Sequence, residues 1–204
     1  RQMCIRDRYY IIENFNKKFL EGFFRRKNIL IKIIMVKTIK FKDYPDFEPN
    51  LTPEEMFRLG SFGGTYWRPI KSNITNKQYE NQHLEFPESW WKDIPDNWLV
   101  NEWKNYDKSI NKYGKKVGTT LRFWEKSGWI NKLDPYGWVQ WYCRFYEGRR
   151  NKREDLRQIR RWKNIAGKNG RFRKMLVTLI LKKNSTWDDF NISPKINFSR
   201  NFKS

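Results

Sequence analysis

The sequence predicts a mainly α-helical fold with little β structure: a small helical bundle wrapped by an irregular, Pro- and Trp-rich N-terminal half. Three observations carry this expectation. Apolar residues recur at helical spacing in the C-terminal part, cap signatures bracket several short stretches, and prolines confine the Trp-rich middle to short turns. A chain of 204 residues suffices for one domain or one domain with a small appendage. Its apolar content of 38%, with 11 Trp, points to a core of few, large side chains. Residues 35–133 form the irregular half and 134–196 the basic helical half, together one compact domain.

The ends stand apart. Residues 1–8, "RQMCIRDR", match the translation of a transposon-end adapter used in sequencing libraries, so they are expected to lie outside the fold. The stretch to residue 34 then reads as upstream read-through, with Met35 as the start. The competing reading is a genuine amphipathic helix or presequence-like arm, which "RRKNILIK" supports. Residues 197–204 lose periodicity and look non-native.

"FKDYPDFEPN" (41–50) is an extended lead-in. "TPEEMFRLG" (52–60) predicts a short helix with Thr52 as N-cap, Pro53 at N1, Glu55 closing a capping box and Gly60 as the stop. "SFGGTYWRPI" (61–70) has two readings, a tight turn leading into a strand or a phosphate-cradling loop. The turn is favoured, because the spacing matches neither the P-loop nor the dinucleotide fingerprint. One small hairpin is expected near 61–75. In "FPESWWKDIPDNWLVNEW" (86–103), Trp90, Trp91, Trp98 and Trp103 drape short turns over the core. A further helix over 118–130 is capped by Thr119 or Thr120 and ended by Gly128.

"DPYGWVQWYCRFYEGRR" (134–150) predicts the central helix, with Asp134 as N-cap, Pro135 at N1 and Gly148 as the stop. Trp138, Trp141, Tyr142, Phe145 and Tyr146 cover most of its circumference, leaving Gln140, Arg144 and Glu147 as a polar stripe. In the helix 155–166, Leu156, Ile159, Trp162 and Ala166 face inward and the arginines outward. "GKNG" (167–170) then turns into a helix over 171–183 whose Phe172, Met175, Leu176 and Leu179 share a face, giving an αα-hairpin. "STWDDFNISPKI" (185–196) reads as a capped final helical turn.

Net charge is +21, distributed as +6 over residues 1–34, +2 over 35–143, +12 over 144–183 and +1 over 184–204. More than half of the excess lies in forty residues, so the basic character is local and draws polyanions: nucleic acid, anionic membrane or acidic protein. The plainer reading is a solvated face. Two cysteines do not suggest a disulfide framework or a zinc site, and a single histidine argues against a His-based metal cluster or a Ser-His-Asp arrangement. No metal or cofactor is expected, and the setting reads as intracellular. The runs "NILIKIIMV" and "MLVTLIL" are too short to span a bilayer.

The site expected is a phosphate-binding face made of Arg149, Arg150, Arg153, Arg157, Arg160, Arg161, Lys168, Arg171, Arg173 and Lys174, with Lys152 beside them. The arginine fork suits bidentate phosphate contacts. Gln158, Asn164 and Asn169 are the side chains able to reach bases, and Trp67, Tyr136 and Tyr146 the candidates for stacking. For catalysis, the pairs Glu54/Glu55, Asp93/Asp96 and Asp188/Asp189 each have a capping or turn explanation. The function expected is binding of DNA or RNA. The alternatives are an enzyme acting on nucleic acid, with Asp93 or Asp96 as its acid, and an interaction module for an acidic partner.

"GSFGGTYWRPI" (60–70), "DPYGWVQWYCRFYEGRR" (134–150) and "RQIRRW" (157–162) together resemble an uncharacterised family of small aromatic-rich proteins. In that family the three blocks recur in this order, with a segment like "KSGWI" (126–130) before the second. The resemblance spans about residues 41–196 and implies domain boundaries but no activity. It also implies a further amphipathic helix after "SPKI", from which "NFSRNFKS" departs.

Overall fold

The computed structural model describes residues 38–112, 114–167, 169–171, 174–175 and 178. The expectations for the first 34 residues, for Lys168, Phe172, Arg173, Leu176 and Leu179, and for everything after residue 180 lie outside them. The described chain is helix-rich, with a single two-stranded ladder. In order come helix α1 (Pro53–Arg58), strands β1 (Ile70–Ser72) and β2 (Lys77–Tyr79), then five one-turn 3-10 helices between Gln82 and Ile110. Helices α2 (Leu121–Lys126), α3 (Trp138–Tyr146) and α4 (Lys152–Ile165) follow.

Local signals set the first helix. Thr52 Oγ1 accepts from the Glu55 amide at 3.1 Å and the Glu55 carboxylate accepts from the Thr52 amide at 2.8 Å, which closes the capping box. Gly60 ends it at φ +78°, and a Cβ there would lie 1.8 Å from the Ile110 carbonyl oxygen. The glycine block that follows is a structural turn. The Gly63 amide donates to Asn111 Oδ1 at 2.7 Å, while the Gly63 and Gly64 carbonyls accept from Asp107 and Asn101. With these groups committed to the 97–112 loop, the hairpin forms later than expected, pairing Ile70 with Tyr79 and Ser72 with Lys77. Pro87 and Pro95 each precede a 3-10 turn, which buries Trp90 and Trp91 and leaves Trp98 half-buried. Thr120 caps α2, accepting from the Phe123 amide.

Helix α3 has a cluster on each side. Val139 and Cys143 join Met56, Phe57, Tyr66, Trp67, Phe86, Trp90 and Trp91. Trp141, Tyr142 and Phe145 join Phe47 and Ile159 from the lead-in and α4. Trp67 is fully buried, with the rings of Phe57, Tyr66, Phe86, Trp91 and Tyr136 within 6.3 Å. The lead-in does more than extend: Phe47 plugs the space between α3 and α4, with Trp162 at 5.1 Å and Trp141 and Phe145 each at 5.6 Å.

Three local expectations are corrected. Asp134 does not cap α3, which starts after Gly137 at φ +84°. Its carboxylate is bound by arginines from the far end of that helix, and this outweighs a single cap bond. Gln140 is not on a polar stripe; it is buried, its Oε1 accepting from the Tyr136 amide at 3.0 Å. Leu156 does not face inward but is 48% exposed. The inward face of α4 belongs to Asp155, Gln158, Ile159 and Trp162. Asp155 turns the helix that way by accepting from Trp141 Nε1 at 2.8 Å and the Asn151 amide at 2.7 Å. Asn151 caps α4, which therefore begins three residues earlier than expected. After Gly167 and Gly170 the backbone is helical again at Arg171, and the Lys174 amide donates to Gly170 O at 3.1 Å.

Candidate nucleic-acid interface

The arginines expected to form one face divide by what holds them. Arg149 donates through both Nη atoms to the Asp134 carboxylate, at 2.7 and 2.8 Å. Arg144 reaches the same carboxylate at 3.1 Å, the Leu133 carbonyl, and Glu85 through Nε at 2.7 Å. Burial alone would lower the Arg144 pKa, but the charges and hydrogen bonds of Glu85 and Asp134 hold it above its ordinary value. Arg150 lies 3.9 Å over the Phe145 ring and donates to Asp43, holding that carboxyl below its usual range. Arg157 grips Glu154 through Nε and Nη2, at 2.9 and 2.6 Å. Burial would raise Glu154, yet Arg157, Gln158 and Asn131 together keep it below its ordinary value.

The outer arc of α4 differs. At about 100° per residue, Arg153, Arg160 and Asn164 fall opposite the buried side of the helix, Lys152 lies toward its edge in the first turn, and all four are exposed. Lys152, Arg153 and Arg160 have no carboxylate partner among the described residues. Lys163 on the arc's edge pairs with Asp46 at 2.8 Å, both groups well exposed. Arg171 and Lys174 are exposed where the next helix starts.

Of the expected stacking residues, Trp67 and Tyr136 are buried, and Tyr146 is half-buried, packing against both clusters. Among the described residues, the open rings near the arginines are Phe123, 43% exposed, and Trp129, 36% exposed, set edge to face at 5.6 Å. The Arg161 guanidinium lies 4.7 Å over the Trp129 ring. The Gly128 stop is the sequence signal for this corner, since a residue just past a helix end escapes the inward repeat. Gln158 is buried and cannot reach a base, whereas Asn164 and Asn169 are exposed.

A second basic surface lies elsewhere. Arg68 stands 5.0 Å and Lys116 6.0 Å from the centre of the Trp103 ring. Trp103, Tyr106, Lys104, Asp107, Lys108 and Lys116 line an open cleft of about 420 Å³ there. Burial lowers the Arg68 pKa from its ordinary value.

Of the carboxylates weighed for catalysis, Asp188 and Asp189 lie outside the described residues, and the others have structural partners or stand exposed. Glu54 and Asp93 both accept from Arg58, at 2.9 and 3.2 Å, and Asp96 opens a 3-10 turn at the surface. Burial pushes His83 below its ordinary value, against the pull of Asp96. Among the described residues no group of three or more His, Cys, Asp or Glu is placed to hold a metal ion, and no helix is long and apolar enough to cross a membrane. No protein-family model, no curated protein and no solved structure matches the chain, so what it does is read from the geometry above.

Proposed function

We propose that this protein binds nucleic acid, DNA or RNA, gripping phosphates through the outer arc of α4. The observation that carries the reading is the pairing contrast within one segment. Arg144, Arg149, Arg150 and Arg157 each hold an acid of the same chain, while Arg153 and Arg160, with Lys152, stand exposed with no carboxylate partner among the described residues. Unpaired guanidinium groups on one helical arc match a row of phosphates, which accept their forked donors. Arg171 and Lys174 extend the positive field at the next helix start, and Lys168 and Arg173 belong to the same proposal. The scaffold we envisage is a small helical bundle wrapped by the Pro- and Trp-rich half, in an intracellular setting where Cys143 stays reduced.

The test is binding of labelled oligonucleotides over a range of salt. The parent should show a steep fall of log affinity with log salt. Arg153→Ala with Arg160→Ala should weaken binding to every sequence alike and reduce that slope by about 2, at roughly 0.9 per lost phosphate contact. A double variant that binds as the parent does, with the same slope, sinks the reading.

A further inference from the structure

Resting on that reading, we infer that the Trp129–Phe123 corner takes an unpaired nucleobase, so that the preferred ligand is single-stranded. Most aromatic side chains in the described chain lie inside the two clusters, and these two rings stay in water side by side. Leaving a Trp and a Phe open costs apolar burial that a stacking partner recovers.

The corner is held rather than loose. The Trp129 amide donates to Trp124 O at 3.0 Å, and Ile130 beside it is buried. Arg157 Nη1 donates to Gly128 O at 3.2 Å, which fastens the corner to α4. Arg161, one turn further along α4, lies over the Trp129 indole, and its Nη1 is directed at Trp129 O at 3.5 Å. The same cation that lies over the ring therefore belongs to the helix that carries Arg153 and Arg160. Bases of single strands stack on aromatic faces and on guanidinium planes alike, and this corner presents both.

The electrostatics select the occupant. Around the corner, Arg122, Lys126 and Lys132 are exposed, and the acid among them, Glu125, is buried on Ser72 and Asn73. An acidic strand is matched there, with base on ring and phosphate on arginine. A duplex offers the phosphates but keeps its bases stacked inside, so the rings contribute only to a single strand.

The experiment compares an oligothymidylate, a duplex of equal length, an abasic strand and polyglutamate by fluorescence anisotropy. Trp129→Ala should weaken oligothymidylate binding by about tenfold and leave duplex binding unchanged, Phe123→Ala should act in the same direction less strongly, and Trp129→Phe should restore most of the loss. The parent should bind the abasic strand more weakly than oligothymidylate. Because Trp129→Ala removes the ring that packs on Phe123 and Arg161, its unfolding midpoint is measured alongside, and the abasic comparison on the unaltered protein decides independently. Equal affinity for abasic strand and oligothymidylate, or ring variants that bind oligothymidylate as the parent does, overturns the corner as a base site while the phosphate grip stands. A parent that binds no nucleic acid, or binds polyglutamate more tightly than any strand, overturns the phosphate reading too.

Discussion

The 144–150 corner and the outer arc of α4 carry the same side chain a few residues apart and use it in opposite ways. At the corner, Arg144 and Arg149 converge on Asp134, which is 0% exposed, and Arg150 closes over Phe145 onto Asp43. On the arc, Arg153 and Arg160 reach into solvent. A buried carboxylate with forked donors fixes backbone geometry, because removing either partner strands a charge where water cannot solvate it. An exposed guanidinium contributes little to stability and keeps its donors for a ligand. The net charge of the segment therefore overstates the charge left open to the proposed ligand, and the presence of an acid partner is what divides the braced arginines from the open ones.

That division gives an ordered set of expected effects. Asp134→Ala should be the most damaging, destabilising by about 3–5 kcal/mol in a denaturant titration, since two arginines lose their shared partner. A loss under about 1 kcal/mol would erase the distinction between corner and arc. Next comes acid. Glu154 is held below its ordinary value of 4.5, so its contribution is complete above that pH and is lost as the pH falls through its lower folded value. The denaturation midpoint of the parent should fall below about pH 4.5, and Glu154→Gln should flatten that part of the profile. Arg153→Ala with Arg160→Ala should shift stability by less than about 0.5 kcal/mol while lowering nucleic-acid affinity. The smallest effect is expected for Asp46→Asn, which breaks the exposed Lys163 pair and should change stability by no more than about 0.5 kcal/mol.

What the sequence disclosed follows the range of the interaction. The Thr52–Glu55 box and the stops at Gly60 and Gly128 are read correctly, and the cap of α2 is narrowed to Thr119 or Thr120, because each involves residues within one turn. Asp134 is misread because its partners lie ten and fifteen residues away, on the other end of a helix not yet folded in the reader's eye. Leu156 is misread for a similar reason: Asp155, tied to Trp141 and the Asn151 amide, takes the inward side that apolarity alone would give to leucine. For the site, the outward arc of α4 was legible from periodicity and charge. The sorting of its arginines was not, since Glu85 and Asp43 come from distant segments. The accessible rings were missed because exposure of Trp129 depends on how α2 ends against α4, a tertiary fact.

The lead-in sets a timetable for the chain. Phe47 sits among rings of α3 and α4, while Asp43 holds Arg150, Asp46 holds Lys163 and Tyr44 reaches Asp155, these three polar contacts each across more than a hundred residues. During synthesis this segment leaves the ribosome long before any of those partners exists. Its aromatic and acidic side chains have none of these partners until then, and bringing the two segments together carries a loop-closure entropy that grows only slowly with the length between them. The stretch made first among these partners thus closes against the one made last, and the α3–α4 pair, including the basic arc, has its full set of contacts only once both are present.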